Sequence, residues 1–168
     1  MLELMEDKSH RRILNPYAKM EGYNCFGCSP DNKFGLQMEF YEKGEDVLCD
    51  WTPHDRFGGY RSVLHGGIQA TLLDEIASWA VQVKLGTAGV TANIDLRYKL
   101  PVFVDRGNIL IKAKIKEVVK RLAYVQTELF DHEGNLCCYG TIKYFIYPQE
   151  VAREKLYFPE FEKFFAKK

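Results

Sequence analysis

From Leu36 the chain alternates with a period of two. Leu36, Met38 and Phe40 fall on one side, and Gln37, Glu39 and Tyr41 on the other, as in a half-buried strand. Lys43-Gly44-Glu45 reads as a turn into a second strand over 46–51. The next stretch, TPHDRFGGYRSV at 52–63, follows neither period, and loops of that length commonly cover or line a site. At Gly66 the period becomes helical. Ile68, Leu72, Ile76 and Ala80 recur every fourth residue, Leu73 and Ala77 widen the stripe, and Gly86 and Gly89 close it. A helix is predicted from Gly66 to Val83 or Lys84. Strands are then predicted over 90–98, 109–119, 122–130 and 136–147. The second of these sets Ile109, Ile111, Ala113 and Ile115 against Lys112, Lys114 and Lys116, and DHEGN at 131–135 is a hairpin loop.

Two strands, one long helix and four strands predict an α+β fold, a curved antiparallel sheet around a mostly apolar helix. Residues 1–22 read as a polar, partly helical extension broken by Pro16. Residues 23–147 form the domain. Residues 148–168 read as a helical extension whose Tyr157, Phe158, Phe161, Phe164 and Phe165 pack partly on the body. No repeat or linker divides the chain, and 168 residues suffice for one core.

Composition narrows the function classes. Lys plus Arg and Asp plus Glu are 23 each, so no charge asymmetry points to nucleic acid. No apolar run is long enough to span a membrane. The N-terminus lacks the apolar core of a signal peptide, and five cysteines do not make a disulfide framework. The expectation is a reduced, cytoplasmic protein.

The chemistry concentrates at 62–83, SVLHGGIQATLLDEIASWAVQV. Gly66-Gly67 lets the backbone approach a ligand, and a helix starting there directs free N–H groups and a positive dipole end at it. That arrangement suits a carbonyl oxygen becoming an oxyanion. Asp74 follows about two turns later, and its helical neighbours Ala70, Thr71, Ala77 and Ser78 are all small, leaving room for a substrate or a facing helix. Glu75 points ~100° around the helix and reads as structural or interfacial, the spare acid if the register differs. His65 invites a general-base role, but a hydrogen-bonded structural imidazole is the preferred reading. Cys25-x-x-Cys28 has the spacing of half a zinc site or a redox pair. Cys137 and Cys138 point to opposite faces of a strand and cannot readily complete it, so a turn with buried thiols, and no metal, is expected.

This segment resembles the hotdog-fold acyl-CoA thioesterases, in particular the PaaI-like branch. Those proteins begin their central helix with HGG and place an acid nine positions after the His. Here His65-Gly66-Gly67 leads to Asp74 at that offset, and the likeness runs roughly from Tyr23 to Tyr147, including the Gly35-Leu36 pair after the cysteine turn. The resemblance implies a hotdog fold that dimerises by joining sheets edge to edge, as a dimer or a dimer of dimers, with active sites at the dimer interface. It implies hydrolysis of an acyl-CoA or related acyl thioester without a metal or redox cofactor. Gly67 would polarise the carbonyl through its N–H, with Gly66 and His65 in the substrate-binding turn. Asp74 would be base or nucleophile, and Thr91 would hold the water. Some members place an Asn six residues before the His. Here that position is Gly59, which leaves Tyr60 and Arg61 as the nearby candidates for the second donor. Three other readings stay open: a non-catalytic acyl-CoA-binding sensor; a hydratase or dehydratase pairing an acid with a histidine, for which His54 is the spare loop histidine; and a purely structural dimer with a vestigial site.

Overall fold

A computed structural model describes residues 10–166. Seven antiparallel strands form one sheet: β1 Arg11–Ile13, β2 Phe40–Lys43, β3 Asp46–Trp51, β4 Gly89–Tyr98, β5 Ile109–Val119, β6 Leu122–Phe130 and β7 Leu136–Ile146, in the order β1-β2-β3-β5-β6-β7-β4. The helix α1, Gly66–Leu85, packs against β3, β4, β5, β6 and β7. A short helix α2, Gln149–Leu156, and a 3₁₀ turn at Phe161–Phe164 end the chain.

The sheet wraps α1 because α1 has little that tolerates water. Leu72, Leu73, Ile76, Ala77, Trp79, Ala80 and Val81 are all fully buried, and each large side chain among them contributes about 1.5–3 kcal/mol of burial. The aromatic layer on one side of the helix comes from far along the chain. Trp79 stacks on Phe40 with 4.7 Å between ring centroids and meets Phe164 edge-on at 5.9 Å. Gly86 closes α1 in the left-handed conformation, with φ of 62°.

Three segments differ from the sequence reading. Leu36 and Met38 are buried as the alternation predicts, yet the strand starts only at Phe40. Gln37 has a φ of 50°, and the N–H groups of Leu36 and Met38 bond to Phe26 and Gly27 of the cysteine turn rather than to a strand. The N-terminal extension was expected to be partly helical. Residues 11–13 instead form an edge strand on β2, while 1–9 lie outside the described residues. In the C-terminal segment the helix covers only 149–156. Phe158, Phe164 and Phe165 are buried, whereas Tyr157 stands exposed.

Among the described residues no helix is long and apolar enough to cross a membrane. At the far end of the sheet, among the described residues, β4 pairs with β7 alone. This ten-residue edge carries exposed Val90, Ile94 and Tyr98. A long apolar free edge of this kind is a ready template for another strand.

Candidate functional site

The helix start is built as a ligand-facing terminus. His65 is the N-cap, and its Nδ1 accepts the N–H of Gly67 at 2.9 Å. With Nδ1 accepting, a neutral imidazole carries its proton on Nε2, and the hydrogen-bonded ring caps the helix. It also uses the Gly67 N–H, which had been expected to face a carbonyl. The donor left over is the N–H of Gly66, which has no acceptor among the described residues. A Cβ on Gly67 would sit 3.0 Å from His65 Nδ1, so glycine there protects the cap. Tyr98, on β4, donates to the Gly66 carbonyl at 2.9 Å and holds the turn from outside.

A cavity of about 400 Å³ lies against this terminus. Gly59, Tyr60, His65 and Gly66 line it, together with Leu64, Gln69 and the 98–101 segment; Arg61 is exposed and not among the lining residues. Gly59 packs on the imidazole, where a Cβ would lie 3.3 Å from His65 Cδ2. Gln69 is buried and donates to the Leu64 carbonyl at 3.1 Å, but its Oε1 has no partner among the described residues.

Asp74 and Thr91 meet as expected. The Thr91 hydroxyl donates to Asp74 Oδ1 at 2.9 Å. Tyr144 of β7 was not singled out from the sequence, and its hydroxyl donates to the same Oδ1 at 2.7 Å. Tyr144 is 3% exposed, and burial first, then the Asp74 charge, raises its phenol well above the ordinary tyrosine value. It therefore remains a donor at any working pH. With Oδ1 held by two hydroxyls, Oδ2 is the oxygen available for chemistry.

Eight residues separate Gly66 from Asp74, which at the rise of an α-helix is about 12 Å. A carbonyl polarised at Gly66 needs its attacking group within about 3–3.5 Å of the reacting carbon. One copy of the chain thus carries two candidate half-sites, about 12 Å apart along α1. Both halves border β4: Tyr98 reaches the helix start and Thr91 reaches Asp74.

Glu75 faces elsewhere. Its carboxylate lies against the cysteine turn, 3.6 Å from Cys25 Sγ, and accepts the indole N–H of Trp79 at 3.0 Å. Burial pushes the Glu75 carboxyl up to about 7. Sequence spacing supplied two thiols there; the fold adds this third group. His54 caps the 3₁₀ turn at Asp55–Phe57, with Nδ1 accepting Arg56 N–H at 3.1 Å.

The model of the thioesterase superfamily matches residues 62–138. Mouse acyl-coenzyme A thioesterase 13 is 29% identical over 86 residues, 51% of this chain and 61% of that one. The chain therefore spans less than two thirds of this relative's length. Among solved structures, thioesterase superfamily member 2 from Mus musculus superposes with a TM-score of 0.58 at 25% identity, covering 65% of this chain and 82% of that one. A hypothetical thioesterase from Streptococcus pneumoniae, solved with coenzyme A, gives a TM-score of 0.61 at 23% identity over 67% and 87% of the two chains.

Proposed function

From a chain that has the hotdog fold of the thioesterase superfamily, we propose hydrolysis of an acyl-CoA thioester at a site completed by a second copy. The substrate carbonyl accepts the Gly66 N–H at the positive end of α1 of one copy. Asp74 Oδ2 of the other copy takes a proton from water while Thr91 Oγ1 accepts the water's second hydrogen. The water oxygen bonds to the carbonyl carbon, the tetrahedral oxyanion is held by Gly66, and the C–S bond breaks. The leaving thiolate takes up the proton that Asp74 received. The acid and the free thiol are the products.

The observation that carries this reading is the convergence of Thr91 and Tyr144 on Asp74. Two hydroxyls spent on one carboxylate oxygen orient the other, a placement that a solvated surface acid does not need. The coenzyme A in the S. pneumoniae structure and the acyl-CoA activity named for the mouse relative support coenzyme A as the carrier.

The test is free-thiol release from short, medium, long and aromatic acyl-CoAs by the wild type and by Asp74→Asn. Turnover that falls by about 10²–10⁴ in the variant, with folding intact, supports the proposal. Acyl-CoA binding without turnover would make the chain a sensor. Turnover indifferent to the substitution would move the base away from Asp74.

A further inference from the structure

On the face of α1 turned away from Asp74, the CxxC turn and Glu75 form a second cluster. Sγ of Cys25, Sγ of Cys28 and a Glu75 oxygen all lie within 4.8 Å of one another. They come from positions 50 residues apart in sequence. The contact exists because residue 27 is glycine: a Cβ there would collide with the Glu75 carboxyl. Each ligand atom also has a supporting group. The Trp79 indole N–H orients Glu75 at 3.0 Å, the Tyr23 hydroxyl lies 2.8 Å from Cys28 Sγ, and the Cys28 N–H points at Cys25 Sγ at 3.3 Å. Asn15 in turn donates to the Tyr23 oxygen and to the Cys28 carbonyl. A cavity of about 640 Å³, walled by Tyr17, Tyr23, Trp79 and Gln82, opens onto the cluster.

We propose that Cys25, Cys28 and Glu75 bind a divalent zinc ion, with the fourth position open to this cavity. Two thiolates and a carboxylate are zinc donors, and three protein ligands with one free position is the pattern of sites that take a water or an exogenous ligand. Bond lengths of about 2.3 Å to sulfur and 2.0 Å to oxygen place tetrahedral neighbours about 3.5–3.7 Å apart. The Cys25 Sγ to Glu75 Oε1 separation of 3.6 Å already has that value. The two sulfurs stand 3.0 Å apart and must spread by about 0.7 Å. Cys25 is only half-buried and lines the cavity, so it can yield. The ordered supporting groups match what metal ligands need to hold their orientation.

The test uses the full chain, reduced, stripped with a chelator and titrated anaerobically with Co²⁺ alone. The wild type is expected to bind about one equivalent, with a thiolate-to-cobalt charge-transfer band and tetrahedral visible bands that Zn²⁺ abolishes. Cys25→Ser should lose most of the charge-transfer band. Glu75→Gln keeps the Trp79 contact but removes the charge, and should weaken binding by more than about 100-fold, beyond the roughly 10–100-fold loss expected for a mere supporting group. Zn²⁺ should raise the melting temperature of the wild type and not that of Cys25→Ser. Absence of the band in reduced wild type, an equal band in Cys25→Ser, or closure of a Cys25–Cys28 disulfide in place of metal uptake would each overturn the proposal.

Discussion

Thr91 and Tyr144 are register partners across β4 and β7, and both hydroxyls donate to the same oxygen of Asp74, at 2.9 and 2.7 Å. The pairing of two strands thus sets the orientation of a carboxylate on the helix they cover. Removing one donor should leave the fold and misplace the acid. A hydrogen bond to a charged group is worth about 1.5–3 kcal/mol, so Tyr144→Phe should lower kcat roughly 10- to 100-fold. Thr91→Val should fall in the same range. Steady-state thioester hydrolysis with circular dichroism on the same samples checks both.

How much of this was legible in the sequence depended on what each residue answers to. β3, β5 and β6 were legible to the residue because each carries its own inside and outside. The span of α1 was legible because glycine closes it, and Asp74 drew attention through its fixed offset from His65, which marks a candidate and not a role. Tyr144 was not legible, since nothing in YFIY says which residue of β4 will face it. That is settled by the β4–β7 register, with its shift between Thr91 and Asn93. The expectation that the Gly67 N–H faces a carbonyl meets a local competitor. The imidazole of the preceding His65 folds back to cap it, and a count of free helix donors does not reveal which one the cap uses.

The capping geometry separates the two glycines. His65 has φ of −58° and ψ of 134°, the extended conformation that a residue before proline favours. Gly66 is the first helical residue, where proline is well tolerated. Gly66→Pro should therefore delete the N–H while keeping α1, and lower kcat by about 10²–10³ with little change in melting temperature. Gly67→Ala should do the opposite. Its Cβ presses on His65 Nδ1 at 3.0 Å, so the cap weakens and stability falls by about 1 kcal/mol, with a smaller loss of kcat than in Gly66→Pro. Thermal melts paired with turnover rates distinguish the two.

Glu42 ties β2 to the last turn of α1. Its carboxylate accepts Lys84 Nζ and Arg11 at 2.6 Å each, and the Lys84 side chain is only 12% exposed. Burial alone would raise the Glu42 carboxyl, but the bonds from Lys84 and Arg11 outweigh it and hold it below the ordinary value of 4.5. A carboxyl depressed in the folded state adds stability that is complete above its unfolded pKa and is lost as pH falls through the folded one. The wild type should lose melting temperature below about pH 4.5. Glu42→Gln should be less stable by about 2 kcal/mol at neutral pH and show a shallower acid loss. Urea denaturation across pH 3–7 measures both slopes.

The roughly 12 Å rise between Gly66 and Asp74 along one helix favours a site shared between two copies and gives the sharpest expectation. If β4 of two copies pair along their free edges, a two-fold axis brings the helix start of each copy toward Asp74 of the other. Gly66→Pro and Asp74→Asn should each be inactive alone. On mixing and refolding them in equal amounts, half of the dimers contain one subunit of each kind. In such a dimer one site has lost both groups, and the other keeps the Gly66 of the Asp74→Asn subunit and the Asp74 of the Gly66→Pro subunit. Activity should return to about a quarter of wild type, half of the dimers each with one of two sites intact. A mixture that stays inactive, from subunits shown to have exchanged, would mean that each chain works with its own Gly66 and Asp74 or with neither.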